Sequence, residues 1–297
     1  MGFVLNNRIW AALIGGAVLV AISWIVTNPE RIEISAIANL EPDLARGEMV
    51  FNAGGCVSCH SGSNATAQEK LLLGGGRKFA TEFGTFIAPN ISSDPVFGIG
   101  DWSALDLANA LINGTSPERK HYYPAFPYTS YSRMELNDAV SLHTFLETLP
   151  PVKVASLPHE TGFPFNVRRA LGGWKLLFVN DGWVVDGDLT EQQELGRYLV
   201  EGLGHCGECH TERNFVGGLK LNVWLGGAPN PNGTGRIPDI TASGLNWSEA
   251  DIAEYLKTGF TPEYDTAGGE MVAVIENTSL LSDADRAAIA AYLKAVP

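Results

Sequence analysis

Side chains able to bind a transition metal or carry redox chemistry are scarce in this chain. Its 297 residues hold four cysteines, four methionines and six histidines. Basic residues are few as well: 20 Lys and Arg stand against 33 Asp and Glu, for a net charge of −13. Such a surface repels a phosphate backbone, which argues against nucleic acid as a partner. There is no Walker sequence, and the one Gly-x-Gly-x-x-Gly, Gly202 to Gly207, runs into a Cys-x-x-Cys-His and follows no predicted strand, so no dinucleotide or nucleoside triphosphate site is read from it. No stretch alternates apolar and polar residues over a useful length, so little sheet is expected. What is present, 45% hydrophobic and 18% charged residues, suits a globular chain, and the length suits two domains. The 33 glycines and 16 prolines point to small helices joined by long loops.

All four cysteines fall in one pattern, written twice: Cys56-Val57-Ser58-Cys59-His60 and Cys206-Gly207-Glu208-Cys209-His210. Cys-x-x-Cys-His is the attachment signature of c-type haem: two thiols add across the vinyl groups of one porphyrin and the next histidine takes the iron. Zinc ribbons also use paired Cys-x-x-Cys, but their pairs lie about 15–20 residues apart, whereas these start 150 apart. A thioredoxin-like motif needs a βαβ context, and two disulfides would not call for a histidine each time. Two covalent haems c are therefore expected, on Cys56 and Cys59 and on Cys206 and Cys209, with His60 and His210 as iron ligands.

The repeat extends beyond the motifs. Arg46 to Phe51 precedes the first and Gly196 to Val200 the second. Ala88-Pro89-Asn90-Ile91 answers Ile237-Pro238-Asp239-Ile240, and Trp102-Ser103-Ala104-Leu105-Asp106 answers Trp247-Ser248-Glu249-Ala250-Asp251. Each Ser-x-x-Asp is close to a capping box, and Gly114 and Gly259 are placed to stop the helices that follow. A last amphipathic helix closes each half, with Asn137 as the expected cap of one and Ser282 with Asp285 of the other. Residues 40–150 and 186–297 thus read as two haem domains. Between them 151–185, with Trp174, Phe178 and Trp183, is too apolar for a free tether. It should pack along one or both domains, or serve as a partner-binding strip.

Ile9 to Val26 is an uncharged 18-residue run, just long enough to cross a bilayer. A small-x-small site, Ala36-Ile37-Ala38, lies ten residues beyond it, too distant for an ordinary signal peptide. The run reads as an uncleaved transmembrane anchor over 9–26, with 1–8 cytoplasmic, 27–39 a juxtamembrane linker and the remainder exported; a cleaved signal is the alternative. Charge is uneven: residues 30–150 carry −6, 151–185 carry +2 and 186–297 carry −10. The acidity either keeps an exported protein soluble or steers a basic redox partner.

An electron carrier wants a sixth iron ligand, and methionine is the usual one in exported carriers. Met1 is the initiator and Met49 lies on the helix before the first motif, where packing suits it. Met134 and Met271 remain, 74 and 61 residues after their histidines and ahead of each final helix. Among the other histidines His121 is the rival ligand for the first haem; His143 and His205 are badly placed for that role.

Phe83-Gly84-Thr85, Ala88-Pro89-Asn90-Ile91, Gly98-Ile99-Gly100-Asp101-Trp102 and Tyr123-Pro124-Ala125-Phe126-Pro127-Tyr128 up to Met134 resemble the cytochrome c subunits of bacterial membrane-bound dehydrogenases acting on alcohols, gluconate, sorbitol, fructose, aldehydes or nicotinate. Gly204 to Asn214 and Gly268-Gly269-Glu270-Met271 are similar to the same family. Many members carry a third haem motif and a C-terminal membrane helix; here there are two motifs and the apolar run is at the front. The resemblance implies Met134 and Met271 as axial ligands. The fold expected is all-α: two tandem class I cytochrome c domains with long loops, preceded by one N-terminal transmembrane helix. The function expected is electron relay, without substrate chemistry of its own. A periplasmic dehydrogenase subunit would be the donor, and a quinone, a cytochrome or a terminal oxidase the acceptor. The site would be the outer face of the bacterial inner membrane. Alternatives are a dihaem enzyme with an open iron site, of peroxidase or thiosulfate-oxidising type, and the cytochrome subunit of a cbb-type oxidase.

Overall fold

The computed structural model of the chain describes residues 7–62, 65–66, 68–231 and 233–297. It begins with α1 (Asn7–Val26), whose side chains are exposed from Arg8 to Val26. At 19 residues and mean hydropathy 2.3, Arg8–Val26 is long and apolar enough to cross a membrane. The expected cytoplasmic segment 1–8 lies almost wholly outside the described residues.

Then one order of elements occurs twice. The first pass is α2 (Leu44–Ala53), α3 (Cys56–His60), a hairpin of β1 (Lys78–Thr81) and β2 (Gly84–Ile87), α4 (Ala104–Asn113), α5 (Tyr128–Tyr131) and α6 (Leu136–Glu147). A linker helix, α7 (Ala170–Phe178), follows. The second pass is α8 (Glu191–Arg197), prolonged by a π-helical turn over Tyr198–Leu203, then α9 (Gly207–His210), a short hairpin of β3 (Ala228–Pro229) and β4 (Arg236–Ile237), α10 (Glu249–Thr258), α11 (Met271–Thr278) and α12 (Asp283–Leu293). Both hairpins are antiparallel, and β1 pairs with β2 from Lys78 opposite Ile87 to Thr81 opposite Gly84. Among the described residues the chain is thus mostly helical, with two short sheets rather than none.

Local chemistry explains the helix ends. Ser103 and Asp106 form a full capping box on α4, as do Ser248 and Asp251 on α10 and Ser282 and Asp285 on α12. Gly114 and Gly259 end α4 and α10 in the left-handed conformation, at φ 53° and 79°. Asn137 is not a cap: α6 starts one residue earlier, after Glu135, which makes no side-chain cap bond. A partly buried ion pair holds that end instead, with Arg46 Nε and Nη2 donating to the buried Asp138 at 2.7 Å each.

Within each pass the first helix packs on the last, and a glycine sits at each crossing. A Cβ on Gly47 of α2 would overlap the Ser141 carbonyl of α6, and one on Gly196 of α8 would overlap the Ala288 carbonyl of α12. One core runs through both passes, from Val50, Phe51 and Leu142 to Leu199, Leu203, Ile289 and Tyr292. Polar ties cross it: Tyr198 Oη donates to Asp138 at 2.5 Å. Glu201, fully buried, accepts from Val184 N and Val185 N of the linker and pairs with Arg133 at 3.6 Å. A buried carboxylate persists only with such partners.

The linker is packed, and it contains the helix α7, to which the sequence reading assigns no secondary structure. Trp174 Nε1 donates to Val216 O at 2.9 Å, and Lys175 Nζ donates to Asn113 O at 2.5 Å and Gly114 O at 2.8 Å. It therefore touches both passes.

Candidate functional site

Cys56 to His60 form the single turn of α3, so the two cysteines, three apart, lie on one helix face. Cys206 caps α9 and repeats the arrangement with Cys209 and His210. All four thiols are free. Burial, with the neighbouring cysteine adding to it, pushes Cys56 and Cys206 up to about 12, so both are neutral thiols.

Each motif follows a left-handed residue. Gly55 has φ 57°, while His205 takes the matching place at φ 42°. A non-glycine residue is strained there. His205 is held by contacts to the other pass: its Nε2 lies 3.2 Å from Gly54 O, and its ring meets Tyr131 edge to face. The sequence excluded His205 as an iron ligand but did not reveal this bridge.

The two motif histidines make matching hydrogen bonds. His60 Nδ1 lies 2.8 Å from Pro89 O, and His210 Nδ1 lies 2.8 Å from Pro238 O. A carbonyl can only accept, so the proton is on Nδ1 in both and Nε2 keeps its lone pair for a metal. Burial lowers both pKa values, against the raising effect of the carbonyl bond, which favours the neutral ring a metal requires.

The loops that present those carbonyls repeat as well. Gly75 N donates to His60 O at 2.7 Å and Gly227 N to His210 O at 2.8 Å. Ile91 N donates to Leu73 O at 2.9 Å and Ile240 N to Leu225 O at 3.0 Å, and both leucines are fully buried. Gly75 and Gly227 sit at φ 71° and 79°. A Cβ on Gly75 would lie 2.5 Å from Pro89 O, and one on Gly227 would lie 3.1 Å from the Pro238 carbonyl carbon. These glycines were missed in the sequence. The signal was there, Leu-Gly-Gly following each histidine by 13 and 15 residues.

The two methionines do not occupy equivalent places. Met134 is buried in the core just before α6, whereas Met271 opens α11, half-buried and twelve residues before α12. Leu281 stands in the second pass where Met134 stands in the first, two residues before the final helix. The rival ligand His121 is committed elsewhere: it is 3% exposed and its Nε2 lies 2.9 Å from Thr27 O, at the end of α1. His143 Nε2 lies 2.8 Å from Trp102 O.

The second of the two residues between the cysteines is used reciprocally. Ser58 Oγ accepts from Asn277 Nδ2 of α11 at 2.7 Å, while Glu208 accepts from Thr129 Oγ1 of α5 at 2.5 Å. Arg77 joins the first contact, donating to Ser58 O at 2.6 Å and to Glu270 at 2.7 Å. Each motif is thus seated against the helix that accompanies the other pass's methionine.

Two thiols per motif and a histidine of fixed tautomer make the donor set of a covalently held haem, so these residues fit the group. No protein-family model matches the chain. It is 54% identical over 291 residues to a dihaem cytochrome c-type protein of Cereibacter sphaeroides, covering 96% of this chain and 98% of that one. It is 35% identical to the fructose dehydrogenase cytochrome subunit of Gluconobacter japonicus, over 86% of this chain and 53% of that one. It is 34% identical to the cytochrome c subunit of a quinone-dependent alcohol dehydrogenase of Gluconobacter oxydans, over 86% of this chain and 55% of that one. The chain therefore spans about half the length of these dehydrogenase subunits.

Proposed function

The chain belongs to the dihaem c-type cytochromes, and on that premise we propose that it is a membrane-anchored relay carrying electrons from a periplasmic dehydrogenase to the respiratory chain. The observation that carries this reading is the pair of matched bonds, His60 Nδ1 to Pro89 O and His210 Nδ1 to Pro238 O. Two histidines prepared alike suit two cofactors of one kind. When bound, the haems supply one-electron iron chemistry.

Cys56 and Cys59 would hold one haem and Cys206 and Cys209 the other. His60 and His210 would each offer Nε2 to an iron, and Met134 and Met271 would each offer a thioether, which would leave neither site open to substrate. Residues 40–150 and 186–297 would be tandem class I domains. The twofold order of elements supports this, with the shared core and the packed linker 151–185 keeping them at a fixed separation. α1 would anchor them to the outer face of the inner membrane, as its length and hydropathy allow. The relatives are cytochrome subunits of fructose, alcohol and gluconate dehydrogenases, and a dehydrogenase would likewise be the donor here. The acceptor would be a quinone, a cytochrome or a terminal oxidase.

A spectroscopic redox titration with a carbon monoxide challenge tests the reading. Two reversible one-electron steps, both low-spin and neither altered by carbon monoxide at neutral pH, are expected. A haem that binds carbon monoxide readily would favour an open-site dihaem enzyme instead.

A further inference from the structure

We propose that the linker helix α7 lies on the outer-leaflet lipid surface, so that the chain meets the bilayer twice, through α1 and through the face carrying Leu176 and Leu177. The proposal rests on the reading of α1 as a membrane anchor.

Contact with α1 fixes where α7 is. Arg169, at its start, stacks over the Trp24 ring at 4.3 Å and bonds to the Trp24 carbonyl and to Asn28. Gly172 packs so closely on Thr27 that a Cβ there would overlap it. Trp24 lies within the apolar span, close to its end. Tryptophan at such a place sits at headgroup depth, and Arg169 is held to it. Leu176 lines one cavity of about 380 Å³ with Val26, Thr27 and Asn28, the residues by which the chain leaves the span.

The sidedness of α7 is the reverse of a helix facing water. Its one lysine turns inward, to the Asn113 and Gly114 carbonyls. Trp174 and Phe178 face the second pass, against Val216 and Gly218. What remains outward is apolar: Leu176 is 60% exposed and Leu177 is 76% exposed. Water offers nothing to such a face, whereas the acyl and headgroup boundary does. Segment 151–185 carries +2 in a chain that is otherwise acidic, but Lys175 and Arg169 are engaged within the protein, so the apolar face itself is what the lipid meets.

Photocrosslinking of the haem-loaded full chain in phosphatidylethanolamine and phosphatidylglycerol vesicles tests this. p-Benzoylphenylalanine is placed singly at Leu177, at Leu19 of α1, or at Phe215, which is 89% exposed. Acyl-chain adducts are then read by mass spectrometry, with intact haem spectra as the check on folding. Adducts at Leu19 and Leu177 but none at Phe215 are expected. Adducts at Leu19 with none at Leu177 would overturn the interfacial helix while leaving the anchor standing. No adduct at Leu19 would overturn the anchor reading, and this proposal with it.

Discussion

Ser58, inside the first Cys-x-x-Cys-His, is hydrogen-bonded to Asn277, 219 residues along the chain, at 2.7 Å. Glu208, at the same position of the second motif, returns the contact to Thr129. Neither motif is therefore seated by its own pass alone. The side chain of Glu208 is 11% exposed and also pairs with Arg213. Glu208→Ala should cost about 1–3 kcal/mol, because Thr129 and Arg213 lose a largely buried partner. Glu212→Ala removes a half-exposed pair with Lys220 and should cost no more than about 1 kcal/mol. Urea midpoints of the two variants compare them directly; equal shifts would mean the cross-contact adds nothing.

Gly75 and Gly227 should each tolerate no side chain. Alanine there meets both a left-handed backbone and the loop that presents the proline carbonyl. A cost of at least about 1 kcal/mol follows from the backbone alone. The sharper expectation is local: Gly75→Ala should perturb the spectrum of the first haem and Gly227→Ala that of the second. Magnetic circular dichroism of both variants checks this; a change in both haems from one substitution would mean general unfolding.

Met134 and Met271 are expected to give one thioether each. Replacing either with His should lower the potential of one haem while keeping it low-spin, since an imidazole favours ferric iron more than a thioether does. Met134→Ala and Met271→Ala should together abolish the near-infrared charge-transfer band of methionine-ligated iron. Its survival in the double variant would show that other ligands hold the irons.

His121 makes the α1 contact sensitive to acid. Burial is the largest cause lowering its pKa from the ordinary 6.5; the bond to Thr27 O opposes this, while Lys175 and Arg169 add to it. Below pH 6.5 the unfolded chain takes up a proton that the folded chain refuses. Stability from this group is thus complete above pH 6.5 and falls as pH drops toward the folded value. The slope is at most about 1.4 kcal/mol per pH unit. Thermal melts of the protein and of His121→Gln from pH 7.5 to 5 should differ in slope by this amount or less, the variant being flatter. Parallel melting curves would remove His121 from the account.

The parts of this protein legible from the sequence are those whose chemistry is local. Cys-x-x-Cys-His is contiguous because one porphyrin edge fixes its span. Capping boxes at Ser103, Ser248 and Ser282 and the stops at Gly114 and Gly259 need only neighbouring residues. The rest depends on distant contacts. Asn137 looked like a cap, but the α6 terminus is set by Arg46 reaching Asp138 across 92 residues. Gly172 gains its meaning only where α7 presses on Thr27, a contact across the whole first pass. Gly75 and Gly227 gain meaning only once the proline loops fold back on the histidines. The unequal placing of Met134 and Met271 was hinted at by their different spacings, but the loops between could not be aligned without the structure.

Each motif is expected to hold one haem covalently. Intact mass spectrometry of the protein after acid-acetone extraction tests it most directly, with Cys56→Ser/Cys59→Ser and Cys206→Ser/Cys209→Ser alongside. Two haem increments are expected on the native chain and one on each double variant. A native chain that gives up its haem to acid-acetone, or that carries a single increment, would contradict it.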